Sequence, residues 1–278
     1  MTGALLRLCR PYYPLPMSLT YLLTVYYAAG GDLGGRWLAA GLSAAALALV
    51  IAGGYVLNDV CDVAVDRLNA PHRPIPGGQV TRRAAGIFAA GLFGAGLAAA
   101  VPGGAAFLGA LAAVAAGLVL YDVFSKRLGV GKPLAVAVLM TSLYPLAIAF
   151  VGGATGPRAA TLIVFPAWLL PTAFGYELLK DLRDVAGDRR APGRAPLVHR
   201  RPRFWRRVAA TAVAAPAPLL LLPALLGCKG LYLAGAAAAV VLALAAAVAP
   251  VRRAITLVYA ECLLTALAAA TDPLVLGF

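Results

Sequence analysis

Charge is scarce in this chain: 13% of its 278 residues are Asp, Glu, Lys or Arg, against about 25% in ordinary soluble domains. Acid is scarcer still, with 11 Asp and Glu set against 24 Lys and Arg. Histidine occurs twice, at His72 and His199, too few and too far apart for an imidazole metal cluster. The four cysteines, Cys9, Cys61, Cys228 and Cys262, are scattered with no C-x-x-C pair, which argues against a disulfide framework and against a zinc site. Residues 1–14 contain Arg7, Arg10, Pro11 and Pro14 but neither a long apolar core nor a small-residue cleavage site, so no removable signal peptide is expected.

What remains is apolar. Hydrophobic residues make up 62% of the chain and the mean hydropathy is +0.85, as for an all-α polytopic membrane protein with one integral domain over residues 1–278. Apolar segments run near 15–31, 38–57, 84–101, 104–121, 133–151, 160–179, 207–227, 231–249 and 254–271. Spans of about 17–25 residues match a hydrocarbon core of about 30 Å, so about nine transmembrane helices around a central cavity are expected. The net charge of +13 is a topology signal and not a nucleic-acid signal, because the basic residues sit in short loops between spans. One side carries Arg7, Arg10, Arg67, Arg73, Arg82, Arg83, Lys126, Arg127, Lys132, the basic stretch from Lys180 to Arg207, and Arg252 with Arg253; the other carries Arg36, Arg158 and Lys229. The N-terminus and the basic loops are therefore expected in the cytoplasm and the C-terminus outside.

The scarce acid is concentrated. Asp59, Asp62 and Asp66 form one D-x-x-D-x-x-x-D run, preceded by Asn58; Asp181, Asp184 and Asp188 form another with the same spacing. On a helix of about 3.6 residues per turn, positions i, i+3 and i+7 share a stripe about 10 Å long. Like charges so placed destabilise an isolated helix, so a cation is expected between them, Mg²⁺ with a phosphorylated ligand above all. Both runs fall at the cytoplasmic ends of spans two and six, and their match suggests an internal duplication. A Pro-rich turn, Pro71-His72-Arg73-Pro74-Ile75-Pro76-Gly77-Gly78, follows the first run. With Arg67 and Arg73 it supplies guanidinium forks suited to phosphate oxygens. Carboxylates for Mg²⁺ beside arginines for phosphate suit a substrate whose leaving group is diphosphate.

At this point the sequence resembles the UbiA-type intramembrane prenyltransferase superfamily. Asn58 through Gly78 meet its N-D-x-x-D-x-x-x-D and N-x-P-x-R-P-I-P-x-G signatures, and Lys180 through Asp188 meet K-D-x-x-D-x-x-G-D. Tyr121 through Arg127 resemble its Tyr/Lys-bearing loop after span four. The resemblance implies two Mg²⁺ ions on a polyprenyl diphosphate, with Asn58, Asp59 and Asp62 at the first ion and Asp66 supporting. Asp181 and Asp184 would hold the second, with Asp188 supporting. It further implies diphosphate contacts from Arg67, Arg73, Lys126 and Lys180, with Arg183 and Arg189 as further candidates and Asn58 close by. Asp66 and Asp188 are candidate proton acceptors, and Lys126 a candidate catalytic cation. The metals and guanidinium groups would stabilise the departing diphosphate, and a dry cavity would shield the allylic cation.

Two departures from the pattern bear on the acceptor. Ala195-Pro196-Leu197 stands where T-L-P is expected, and the R-T-x-x-R-P sequence of the haem and 4-hydroxybenzoate branches is absent. Leu178-Leu179-Lys180-Asp181 leans towards branches that prenylate glycerol-phosphate ethers or chlorophyllide- and quinone-type rings. Partners implied are the polyprenyl diphosphate, a small lipophilic or anionic acceptor and the bilayer. Two alternatives stay open: a membrane terpene cyclase, and a divalent-cation transporter with paired acidic half-sites. Of the remaining features, Arg200 to Arg207 read as an anchor to the anionic leaflet, Glu261 as a costly charge inside span nine, and Tyr55 and Tyr176 as cavity-lining aromatics.

Overall fold

A computed structural model describes residues 2–124, 131–156, 158–188, 198 and 200–276. All regular structure among the described residues is helical. The order is α1 (Thr2–Cys9), α2 (Pro14–Ala28), α3 (Trp37–Cys61), α4 (Val63–Asn69), α5 (Arg82–Ala100), α6 (Ala105–Phe124), α7 (Gly131–Thr141), α8 (Leu143–Val151), α9 (Thr161–Asp188), α10 (Pro202–Ala214), α11 (Gly230–Val248) and α12 (Val251–Leu276). Every apolar segment expected from the sequence is helical. Eight helical spans among the described residues are long and apolar enough to cross a bilayer. The ninth expected span is α2, which at 15 residues reaches only about 22 Å at 1.5 Å per residue. The count of nine is therefore approximate.

Proline decides where these spans bend. The fifth is broken at Ser142, because Pro145 has no N–H for the carbonyl one turn back. Ser142 fills the joint by giving its hydroxyl to the Leu139 carbonyl at 2.6 Å. Helix α9 runs through Pro166 and Pro171, which bilayer helices tolerate when neighbours satisfy the freed carbonyls. Beyond α10 the chain tightens into a 3₁₀ segment, Ala217–Leu225, with Pro216, Pro218 and Pro223 removing three donors.

Helices approach closely where side chains are small, as expected for packing in lipid. A Cβ on Gly96 of α5 would lie 2.8 Å from Val50 Cγ2 and 3.0 Å from the Ala46 carbonyl oxygen of α3. One on Gly235 of α11 would run into Ala268 Cβ of α12. The outward face keeps large apolar residues uncovered, including Leu38, Ile163 and Val248, an arrangement that needs a lipid surround.

At the end of the bundle away from the acidic runs, a buried ion pair ties four elements together. Arg158 Nη2 lies 3.0 Å from Asp272 Oδ2, both fully buried. Asp272 also accepts from the backbone N–H groups of Lys229 and Tyr232 at 2.8 and 3.0 Å, so α12 caps the start of α11. Arg158 Nη1 donates to the Tyr27 hydroxyl at 3.2 Å, and Tyr27 donates onward to the Ala269 carbonyl at 2.7 Å. Pairing on this scale compensates two charges withdrawn from water.

Candidate active site

The first acidic run straddles a joint. Helix α3 ends at Cys61 and α4 begins at Val63, so Asp59 belongs to α3, Asp66 to α4, and Asp62 sits between. The single continuous helix expected from the spacing is therefore bent. Helical bonds still cross the joint, from Asp62 N to Asn58 O at 2.9 Å and from Asp66 N to Asp62 O at 2.8 Å, which keeps the acids on one side. Asp59 and Asp66 are buried.

The Pro-rich turn docks against these acids because its apolar residues are inserted elsewhere. Ile75 and Val80 are buried with Ala4 and Leu8 of α1, Val56 of α3, and Ala85 and Ala89 of α5. Gly78 closes the turn at φ +72°, a left-handed conformation suited to glycine. Thr81 then caps α5, accepting from Ala84 N at 3.1 Å. Arg73 is thereby aimed inward: its Nη1 lies 2.8 and 2.7 Å from the two Asp66 carboxylate oxygens and 3.4 Å from Asp59 Oδ1. Burial works against the charged Arg73 guanidinium, but the hydrogen bond to Asp66 and the charges of Asp66, Asp59 and Asp62 outweigh it and raise its pKa above the ordinary arginine value.

A second cation comes from outside the motifs. Arg10, between α1 and α2, pairs with Asp59 Oδ1 and lies over the Tyr55 ring at 5.3 Å. Arg10 has φ +47°, the positive-φ conformation that side-chain-bearing residues rarely adopt. Backbone strain of this kind concentrates at functional sites.

The second run lies on the last turns of α9. Asp181 is half-buried and accepts from Lys132 Nζ of α7 at 3.3 Å. The charges of Asp181, Glu177 and Asp62 all act on Lys132, so this lysine stands between the two runs. Tyr121 is likewise within electrostatic range of Glu177, Asp122, Asp181 and Asp62. Lys180 turns to Glu177, with Nζ 2.8 and 3.0 Å from its two oxygens. Asp184 is exposed and paired with its neighbour Arg183 at 2.7 and 2.9 Å, so it does not join Asp181 inside. Tyr13 stacks on Tyr55 at 5.3 Å and lies within electrostatic range of Tyr176, so the three tyrosines stand at the same end of the bundle as the runs.

The structure thus brings Asn58, Asp59, Asp62, Asp66, Arg73, Lys180 and Asp181 to one end of the bundle. Arg67 is exposed on α4 and stands apart from these pairings. Lys126, Arg189 and the side chain of Asp188 lie outside the described residues. Arg10, Lys132 and Asp122 are members of the cluster that the motifs did not announce. Two signals pointed to Asp122: it sits in the Tyr121–Arg127 tract, where only the tyrosine and lysine were singled out, and acid is rare within apolar spans, which drew notice to Glu261 instead.

The sequence matches the UbiA prenyltransferase family over residues 17–256, a stretch that takes in both acidic runs and all of α3 to α11 but only the first turns of α12. The chain belongs to the UbiA prenyltransferase family. It is a multi-pass membrane protein of a family named for prenyl transfer. It is 37% identical over 236 residues to the digeranylgeranylglyceryl phosphate synthase of Halobacterium salinarum, covering 81% of this chain and 79% of that one. It is 36% identical over 188 residues to the synthase of the same name from Methanoculleus marisnigri, covering 67% of this chain and 64%, less than two thirds, of that one. Among solved structures it is similar to an apo UbiA homolog from Aeropyrum pernix K1, with a TM-score of 0.76 at 18% identity, covering 97% of this chain and 98% of that one. A UbiA homolog from Archaeoglobus fulgidus bound to GPP and Mg²⁺ gives a TM-score of 0.73 at 17% identity, covering 99% of this chain and 100% of that one. At these identities the structures establish a shared fold.

Proposed function

We propose that this chain is one catalytic unit over residues 1–278. It transfers an isoprenyl group from a polyprenyl diphosphate to a glycerol-phosphate ether acceptor, with Mg²⁺ and with release of diphosphate. The observation that carries the reading is the pairing of Asp59, Asp66 and Asp181 with Arg73, Arg10 and Lys132 at one end of an apolar bundle. Each carboxylate already has a cation at hand, and each cation is a group that a diphosphate would attract.

The donor set fits Mg²⁺. Asp59, Asp62, Asp66 and Asp181 offer hard oxygens, with the Asn58 carbonyl beside them. Among the described residues no three His, Cys, Asp or Glu side chains form a closed metal cage. That too suits Mg²⁺, which is commonly held by one or two carboxylates plus substrate phosphates. Asn58, Asp59 and Asp62 would hold one ion, with Asp66 supporting, and Asp181 a second, with Asp188 supporting; Asp184 would join it by leaving its exposed pairing with Arg183. When bound, Mg²⁺ supplies Lewis-acid stabilisation of the diphosphate oxygens.

The chain's own groups do the rest. Arg73, Arg10, Lys132 and Lys180 neutralise charge as the allylic C–O bond breaks, with Arg67, Lys126 and Arg183 as further contacts. Preorganised donors of this kind reach full strength in a site that excludes water. Tyr13, Tyr55 and Tyr176 offer ring faces to the prenyl cation and keep water from it. Asp66 or Asp188 accepts the acceptor's proton. The site opens to the cytoplasm, with the C-terminus outside.

The lean to a glycerol-phosphate ether rests on the names of the archaeal relatives and on Leu178-Leu179-Lys180-Asp181. The test is product formation by purified protein given geranylgeranyl diphosphate, Mg²⁺ and one acceptor at a time. A doubly prenylated glyceryl phosphate supports the reading; transfer to a phenolic or chlorophyllide ring moves the acceptor. A cyclic hydrocarbon formed without acceptor replaces the transferase with a cyclase. Divalent-cation flux in proteoliposomes without diphosphate release replaces it with a carrier.

A further inference from the structure

Asp122 belongs to neither acidic run. It lies near the end of α6, and it is 5% exposed. Its Oδ1 accepts a hydrogen bond from Asn58 Nδ2 of α3 at 3.1 Å. Its Oδ2 is buried and has no partner among the described residues. Asp59 and Asp62 are both within electrostatic range of it.

A primary amide has a donor end and an acceptor end, whereas an ionised carboxylate only accepts. The bond to Asp122 turns the donor end of the Asn58 amide to α6 and leaves its Oδ1 on the other side. A half-satisfied carboxylate buried beside two more carboxylates is unfavourable unless something positive or donating completes it. The Asn58 carbonyl, Asp59 and Asp62 are hard oxygen donors of the kind a hydrated divalent cation takes, with substrate phosphates completing its shell.

We propose that Asp122 is a positioning residue for the first acidic run: it locks the Asn58 amide so that Oδ1 faces the cation. This inference rests on the Mg²⁺ reading above and deepens it. Partners that orient a ligand in this way commonly contribute 10–100-fold to metal affinity.

Binding of Mn²⁺, counted by the loss of the free-ion electron paramagnetic resonance signal on detergent-solubilised protein, tests it without turnover. Asp122→Ala is expected to weaken Mn²⁺ binding about tenfold while leaving the metal-free melting temperature unchanged. In Asp122→Asn the remaining carbonyl oxygen still holds Asn58, so the weakening is smaller. Because Asp122 acts through Asn58, the Asn58→Ala/Asp122→Ala double variant should bind Mn²⁺ nearly as well as Asn58→Ala alone. Activity of Asp122→Ala should recover at high Mg²⁺. Unchanged Mn²⁺ affinity in a folded Asp122→Ala protein overturns the inference, as do fully additive losses in the double variant. If Asp122→Ala does not fold, unchanged affinity in a folded Asp122→Leu protein, which likewise lacks the acceptor, overturns it equally. Absence of Mn²⁺ binding by the unaltered protein overturns the Mg²⁺ reading itself, a result distinct from the others.

Discussion

Arg73 places one guanidinium nitrogen 2.8 and 2.7 Å from the two oxygens of Asp66. An arginine from a Pro-rich turn thus lies against the acids of the helix that precedes it. Asp59 is held in the same way by Arg10, and Asp181 by Lys132. On the proposed reading, the cations that would receive diphosphate are those that neutralise the acids, so binding of a metal–diphosphate complex would exchange one set of ion pairs for another. Such an exchange would limit the cost of keeping charge at the edge of an apolar bundle.

Replacing Arg73 separates charge from shape. Arg73→Ala is expected to lower kcat by about 100-fold, the scale for removing one preorganised donor. Arg73→Lys keeps a positive charge beside Asp66 but loses the planar fork, and should fall between the two. Steady-state assays of both variants at saturating Mg²⁺ check this; equal rates for Arg73→Ala and the unaltered protein would remove Arg73 from the site.

Lys132 stands between the runs, so its loss should be felt in substrate binding. Lys132→Ala is expected to raise KM for the prenyl diphosphate by about tenfold or more, the scale of a charge-assisted hydrogen bond. It should not raise the half-saturating Mg²⁺ concentration, because Asp181 is then free of its competing ammonium. Titrations of substrate and of Mg²⁺ on one preparation distinguish these effects. A rise in the Mg²⁺ requirement with KM unchanged would refute the assignment.

At the far end of the bundle, Asp272→Ala should be destabilising without touching the chemistry. It leaves the fully buried Arg158 without its carboxylate and uncaps the start of α11. Breaking a buried pair by removing one partner costs about 3–5 kcal/mol. Thermal unfolding in detergent should show a clear drop in midpoint, with KM of the surviving folded enzyme unchanged.

The sequence was most legible where chemistry and periodicity coincide. The two Asp runs, the Pro-rich turn and the nine apolar segments all stand out because composition departs sharply from its surroundings there. Family membership and the all-helical fold follow from them and are borne out. What stayed hidden depends on tertiary approach. Arg10 and Lys132 looked like ordinary positive-inside residues, since no local pattern says that the turn after α1 or the start of α7 reaches the acids. Arg206, read within a basic anchor, instead caps α11 by donating to the carbonyls of Ala246, Ala247 and Ala249 at 3.1, 3.1 and 2.7 Å. Glu261 finds its partner in Trp168, whose Nε1 lies 2.8 Å away, a contact between α9 and α12 invisible to helical spacing. The bend at Asp62 was also hidden, because an i, i+3, i+7 pattern tolerates a one-residue joint without losing its face.

The most direct test of the central claim is single-turnover release of diphosphate from geranylgeranyl diphosphate, with Mg²⁺ and the glycerol-phosphate ether acceptor, by the unaltered protein and by Asp59→Ala and Asp181→Ala. The unaltered protein should release diphosphate only with Mg²⁺. Each variant should insert and fold yet release it at least about 100-fold more slowly, as expected for loss of transition-state charge stabilisation. Near-normal release by either folded variant, or release indifferent to Mg²⁺, would contradict the account.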